Sequence, residues 1–259
     1  MTRIESYEDL TDKIVRWLKD YYWMHSGNIK AFVVGVSGGI DSAVVSTLCA
    51  KTGLPTYVVC MPLESTHDNS KLSEGHAKKL AEKYDNVTQV TVELSSAYYQ
   101  FHHSIEWWSD AHGHGKKTFT SDELANANTK ARMRMLTLYQ IAGAKGGIVV
   151  GTGNKVEDYG VGFFTKYGDG AVDIAPIADL YKSEVWELGE YLEVDQAIVD
   201  AAPTDGLWDD GRTDEDQLGA TYEQLEEAME HGTGPGVDVL KYYNEKNAHK
   251  MNPIPTFKL

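Results

Sequence analysis

Six consecutive residues, Ser37-Gly38-Gly39-Ile40-Asp41-Ser42, combine two glycines, two hydroxyls and one carboxylate. An apolar run, Ala31-Phe32-Val33-Val34, precedes them, and another, Ala43-Val44-Val45, follows. A strand, a tight Gly-Ser loop and a helix in that order make an anion site. Unpaired backbone N–H groups at the helix start point into the loop, and the helix dipole adds positive potential there. Gly38 and Gly39 let the backbone approach phosphate oxygens closely and permit positive φ. Ser37 and Ser42 supply hydroxyl donors. The loop lacks the lysine that a Walker A pattern places after its last glycine, and GxGxxG is absent. Asp41 is unfavourable beside a phosphate unless a cation lies between them, which points to a Mg²⁺ bridge. The alternative is that Asp41 only starts a helix and faces its dipole.

The elements that must position this loop follow from hydrophobic periodicity. Leu10, Ile14, Trp17, Leu18 and Tyr21 recur at helical spacing and predict a first helix, ended by Gly27-Asn28. A strand over 31–36 leads into the loop, and a helix runs from about Asp41 to Lys51. Further strands are expected over 56–61, 87–92 and 148–150, with a helix over 71–84. Strand and helix alternate, and the strands are short, continuous apolar runs. That pattern predicts an α/β fold with a central, mostly parallel sheet and helices on both faces. Two regions break the rhythm. Residues 95–120 gather Tyr98, Tyr99, Phe101, His102, His103, Trp107, Trp108, His112 and His114 and read as an insertion. The histidine spacings complete no metal-ligand pattern, so this stretch reads as an aromatic lid or an oligomer contact. Residues 201–219 are rich in Asp and Gly and read as a loop.

Composition bounds the function class. The chain has 259 residues, 42% of them hydrophobic, enough for one sizeable core. Its net charge is −15, from 39 acidic and 24 basic side chains, which argues against a nucleic-acid binder. The two cysteines, Cys49 and Cys60, fall in apolar patterns without metal-ligand spacing and read as reduced core thiols of a cytoplasmic protein. No apolar run approaches the roughly 18 residues of a membrane span, and the first twenty residues do not read as a signal peptide.

The SGGIDS loop after an apolar strand resembles the PP-loop of the N-type ATP pyrophosphatases, a Rossmann-type fold of the adenine nucleotide alpha hydrolase kind. Four further stretches resemble the ammonia-dependent NAD synthetases within that superfamily: NANTKARMRM (126–135), GTGNKVED (151–158), GFFTKYGDGAVDIAPIADLYK (162–182) and APTDGLW (202–208). So does Ala248-His249-Lys250 near the end. The resemblance covers nearly the whole chain in order, and implies one synthetase domain over 1–259 with no fused glutaminase. The implied reaction joins deamido-NAD, ATP and ammonia to give NAD, AMP and pyrophosphate. A carboxylate is a poor acyl donor, and adenylation gives it AMP as a leaving group.

The resemblance also implies residue roles. Gly35, Val36, Ser37, Gly38, Gly39, Ile40, Asp41 and Ser42 would line the ATP phosphates, with Thr152, Lys182 and Thr204 also on ATP. Asp41 and Glu157 would bind Mg²⁺, and Asp41 and Lys182 would be catalytic. Arg132, Lys166, Asp173, His249 and Lys250 would hold deamido-NAD, whose diphosphate and carboxylate suit basic contacts. The implied assembly is a homodimer. Each residue also has a plainer reading. Arg132 could be a solvated helix residue, and Glu157 could pair with Lys155. Lys182 could merely precede a helix capped by Ser183. Asp173, inside an apolar run, wants a partner of some kind. Two other functions compete. A tRNA-modifying PP-loop enzyme would want a basic surface and usually catalytic cysteines. A nucleotide sensor that kept the fold would not need Asp41, Glu157 and Lys182 together.

Overall fold

The computed structural model describes residues 3–25, 28–63, 67–113, 119–203 and 213–258. Four parallel strands form one sheet in the order β3-β2-β1-β4: β1 Ala31–Val36, β2 Thr56–Cys60, β3 Val87–Thr91 and β4 Gly147–Val150. Phe32 stands level with Thr56 on β2 and Ile148 on β4. The chain steps outward from β1 through β2 to β3, then returns to the far side of β1 for β4. This reversal opens a crevice above the carboxyl ends of β1 and β4.

Helices cover both faces. α1 (Tyr7–Met24), α2 (Ile40–Lys51) and α6 (Lys182–Tyr191) pack on one side, where Phe32 and Val34 of β1 meet Leu18, Val44, Leu48 and Leu188. Val33 points to the other side, with Val59 and Val149. There it meets Tyr98 of α4 (Ser95–Ala111) and Ala142 of α5 (Glu123–Lys145). The period of two along β1 thus feeds two cores, which is why its residues are all apolar. Burying a side chain such as Phe32 or Leu48 contributes about 1.5–3 kcal/mol. α3 (His67–Lys83) packs over β2 and β3 through Ala77 and Leu80. Then follow, among the described residues, α7 (Gln196–Val199), α8 (Asp214–Leu218), α9 (Tyr222–His231) and α10 (Val237–Met251). Among the described residues, no helix is long and apolar enough to cross a membrane.

Strands and helices fall within a few residues of the sequence expectation. The region read as an insertion carries the 17-residue helix α4. The region 201–219 is not loop throughout, because α8 lies inside it. Thr213 caps the Asp216 N–H while the Asp216 carboxylate returns to the Thr213 N–H. This reciprocal box is what the Asp- and Gly-rich composition obscured. His114, Thr204 and 205–212 lie outside the described residues.

Candidate active site

The Gly-Ser loop stands where β1 ends. Gly38 has φ +95°, a backbone state that side-chain-bearing residues rarely adopt. Gly39 is the N-cap of α2 and offers no side-chain cap, so the first turn of the helix keeps its dipole end open. The loop bonds to itself. Ser42 Oγ accepts from the Ser37 N–H at 3.1 Å and donates to the Gly39 carbonyl at 2.9 Å. Ser37 Oγ accepts from the Gly39 N–H at 3.2 Å. The two serine hydroxyls therefore hold the loop's shape.

A second segment rises beside it from the end of β4. Asn154 caps a seven-residue π-helix, Lys155–Val161, by accepting from the Val156 and Glu157 N–H groups at 3.0 Å each. Single-turn π-helices are frequent at functional sites, and this one turns Glu157 and Asp158 toward the crevice. Gly153 lies against Asp158 so closely that a Cβ there would sit 1.9 Å from a carboxylate oxygen. A third segment brings Lys182 as the first residue of α6. Its cap is Tyr181, not Ser183, and Glu184 returns a carboxylate to the Tyr181 N–H at 2.8 Å.

The three segments converge on one ammonium. Lys182 Nζ lies 2.5 Å from Asp41 Oδ2 and 2.9 Å from Glu157 Oε1, with Lys182 only 2% exposed. Asn154 Nδ2 donates to the other Asp41 oxygen at 3.0 Å, and Tyr222 Oη donates to Glu157 at 2.6 Å. The rings of Tyr222 and Trp186 lie 5.3 and 5.9 Å from the ammonium. Burial alone would lower the Lys182 pKa, but Asp41 and Glu157 outweigh it and hold the ammonium protonated. The two carboxylates share that single charge unequally. Burial raises Asp41, whereas for Glu157 burial is overcome by Lys182 and Tyr222, and its pKa falls. Burial, then repulsion from Asp169, Glu157 and Asp41, holds Asp158 well above the carboxylate range. Burial and the neighbouring carboxylates likewise push the Tyr222 phenol up, so it stays a donor.

Asp41, Glu157, Asp158 and Lys182 line a cavity of about 290 Å³ together with the rest of Gly35–Ser42, Gly151, Thr152, Asp169, Arg134 and Asp214. Glycines, hydroxyls and a helix start on one wall suit an anion. Beside them, two carboxylates, Asp41 at that helix start and Glu157 on the π-helix, share one cation. Among the described residues no three acidic, His or Cys side chains form a metal cage, so a hard cation here would draw its other oxygens from the ligand and water.

The expected substrate residues form a second group. Arg132 donates to the Lys166 carbonyl at 3.2 Å, Lys166 Nζ to the His249 carbonyl at 2.5 Å, and Lys250 Nζ to the Gly162 and Phe164 carbonyls at 2.8 Å. Four of the five thus gather around the 162–166 turn, outside the cavity lining. Asp173 stands apart. It accepts from the Val149 N–H at 2.7 Å and Tyr139 Oη at 3.1 Å, the partners that a carboxylate in an apolar run requires. Lys155 pairs with Asp179 at 2.8 Å, which leaves Glu157 to Lys182. The sequence reading missed Asn154, Asp158 and Tyr222. Asn154 carries a local signal, a capping residue between a strand and a polar turn. Tyr222, 65 positions from Glu157, carries none.

Residues 10–252 match the family model described as NAD synthase. The chain belongs to the NAD synthase family. An NH(3)-dependent NAD(+) synthetase of Carboxydothermus hydrogenoformans is 35% identical over 251 residues, 95% of each chain. Among solved structures, the NMN synthetase from Francisella tularensis is 34% identical, with a TM-score of 0.86 over 99% of this chain and 100% of that one. An NH3-dependent NAD synthetase from Campylobacter jejuni is 26% identical, with a TM-score of 0.73 over 98% and 100%. The fold is therefore that of the NAD synthase family, and the crevice above β1 and β4 belongs to it.

Proposed function

We infer that this NAD synthase family chain is a ligase that amidates deamido-NAD with ammonia at the expense of ATP, giving NAD, AMP and pyrophosphate, the last step of NAD biosynthesis. The observation that carries the reading is the meeting of Asp41, Glu157 and Lys182 at the mouth of the Gly-Ser loop. The substrate carboxylate attacks the α-phosphorus, the bond to the β-phosphate oxygen breaks, and pyrophosphate leaves. Ammonia then attacks the acyl carbon, AMP departs with the C–O bond electrons, and the nitrogen sheds a proton. Both steps move anionic charge, so fixed donors and cations supply the catalysis. Gly35–Ser42 receive the phosphates through backbone N–H groups and the two hydroxyls. Lys182 neutralises phosphate charge, and Thr152, at the exit of β4, contacts ATP; Thr204 takes the same role by resemblance. Arg132, Lys166, Asp173, His249 and Lys250 hold the deamido-NAD side.

Mg²⁺ fits the donor set, because Asp41 and Glu157 already direct two carboxylates at one positive charge. Bound there, it would neutralise the triphosphate tail. A second copy of the chain is expected to complete the assembly. Large apolar residues on α4 and α5, with Phe101 48%, Trp107 66% and Leu136 65% exposed, support that. Two free, buried thiols suit a reducing cytoplasm.

The test is product formation from ATP and deamido-NAD with ammonium or with glutamine as nitrogen source. NAD from ammonium alone is expected. Pyrophosphate release indifferent to deamido-NAD would overturn the substrate, and no release from folded protein would favour a nucleotide sensor. One observation favours a second substrate, nicotinate mononucleotide: the likeness to the Francisella tularensis NMN synthetase over the whole chain. Offering both acids in competition decides between NAD and NMN as product.

A further inference from the structure

We propose that Asn154 is a positioning residue for the Asp41 carboxylate, fixing it against the π-helix that carries Glu157. This rests on the reading of Asp41 and Glu157 as the acidic groups that face ATP. Asn154 is fully buried and makes three hydrogen bonds with one planar amide. Its oxygen accepts from the Val156 and Glu157 N–H groups, and its nitrogen donates to Asp41 Oδ1, all at 3.0 Å. The two backbone donors require the oxygen to face the helix, so the nitrogen must face Asp41. The side chain therefore ties the first turn of α2, which follows β1, to the first turn of the π-helix, which follows β4.

Capping alone does not explain the residue type. Ser, Thr or Asp would accept from the same N–H groups. An Asp would set another carboxylate oxygen against Asp41, and a Ser would be too short to reach it. Only an amide both caps the helix and donates across the crevice. The donor matters because Asp41 is shared with Lys182 through its other oxygen. With one oxygen on Asn154 and one on Lys182, the carboxylate plane is fixed before ATP arrives, which is the preorganisation that charge-stabilising sites depend on.

The experiment is a double-mutant cycle on the full chain with Asn154→Ser, Asp41→Asn and both together. NAD formation, the ATP dissociation constant by calorimetry, and the melting temperature are read on all four proteins. Asn154→Asp is carried alongside, as a variant that keeps the cap if the serine chain folds poorly. The expected result is that Asn154→Ser melts within a few degrees of wild type and loses roughly 10- to 100-fold in kcat. In the Asp41→Asn background the same change should move neither kcat nor ATP affinity by more than about twofold, because the carboxylate that Asn154 positions is already gone. Asn154→Asp should lose at least as much activity as Asn154→Ser while keeping its fold. Equal losses in both backgrounds would overturn the proposal, as would wild-type turnover in Asn154→Ser. Wild-type protein that makes neither NAD nor NMN would instead remove the reading on which the proposal stands.

Discussion

Lys182 and Asp41 are 141 positions apart, yet the ammonium of one lies 2.5 Å from a carboxylate oxygen of the other. The contact exists because a parallel sheet delivers the ends of β1 and β4 to one edge, and the start of α6 packs against α2 just there. Removing the lysine strands two part-buried carboxylates. Lys182→Met should cost about 3–5 kcal/mol of stability, since an uncompensated buried charge is worse than no pair at all. Adding Asp41→Asn should recover much of that loss without recovering activity. Urea unfolding of both variants measures it, and a Lys182→Met chain as stable as wild type would contradict the shared-charge arrangement.

Asp41→Asn alone leaves Lys182 paired with Glu157. Its melting temperature should stay close to wild type, while turnover falls by about two orders of magnitude or more. Steady-state NAD formation beside a thermal scan separates the two effects. Wild-type turnover would remove Asp41 from the chemistry.

Gly153 has no room for a methyl group, because its Cβ position is taken by the Asp158 carboxylate. Gly153→Ala must displace Asp158 or the turn that carries Glu157. The expected cost is about 1–3 kcal/mol, from overpacking against the Asp158 carboxylate, together with a fall in kcat. Gly113, where an added Cβ would meet nothing among the described residues, is the control position: Gly113→Asn should leave activity unchanged. Asn is chosen because it tolerates the positive φ there.

His76 is buried on α3 with Nε2 3.0 Å from Ser46 Oγ, and burial lowers its pKa from 6.5 to about 4. The unfolded chain takes up a proton near pH 6.5 and the folded one only near pH 4. Stability should therefore be complete above pH 6.5 and decline as pH falls toward 4, by about 3 kcal/mol. His76→Gln should flatten that part of the acid limb. Denaturant midpoints between pH 7 and 4 test the sign, and an unchanged slope in the variant would assign the acid limb to other groups.

Arg3 holds Glu184 with two bonds, 2.9 and 3.0 Å, and its guanidinium lies 4.4 Å from the centre of the Tyr181 ring. Glu184 in turn caps the helix that begins with Lys182. Arg3→Ala should destabilise by about 1.5–3 kcal/mol, the range for hydrogen bonds to charged groups. Glu184→Gln should soften the loss, because it removes the charge and keeps the acceptor. Equal losses in the two backgrounds would mean that Arg3 acts elsewhere.

Much of this was legible along the chain. The loop from Gly35 to Ser42 could be read because its chemistry lies in consecutive residues: strand, turn glycines, hydroxyls and helix start are local features. Continuous apolar runs such as 31–36 implied a strand buried on both faces, and both faces are covered. The helix α8 was obscured because its capping box sits in a run of acids that also reads as loop. For Asp173, the reading that it needs a partner was sound, and the structure supplies Val149 and Tyr139.

The sequence by itself determined the fold class, the anion loop and the residue types available for chemistry, because these depend on periodicity and on neighbours a few positions away. Only the tertiary structure decided that one lysine would serve two carboxylates, that Asn154 would span the crevice, and that Tyr222 would reach Glu157. Those pairings join segments 25 to 141 positions apart. They are set by strand order and helix packing, on which the local composition of any one segment is silent.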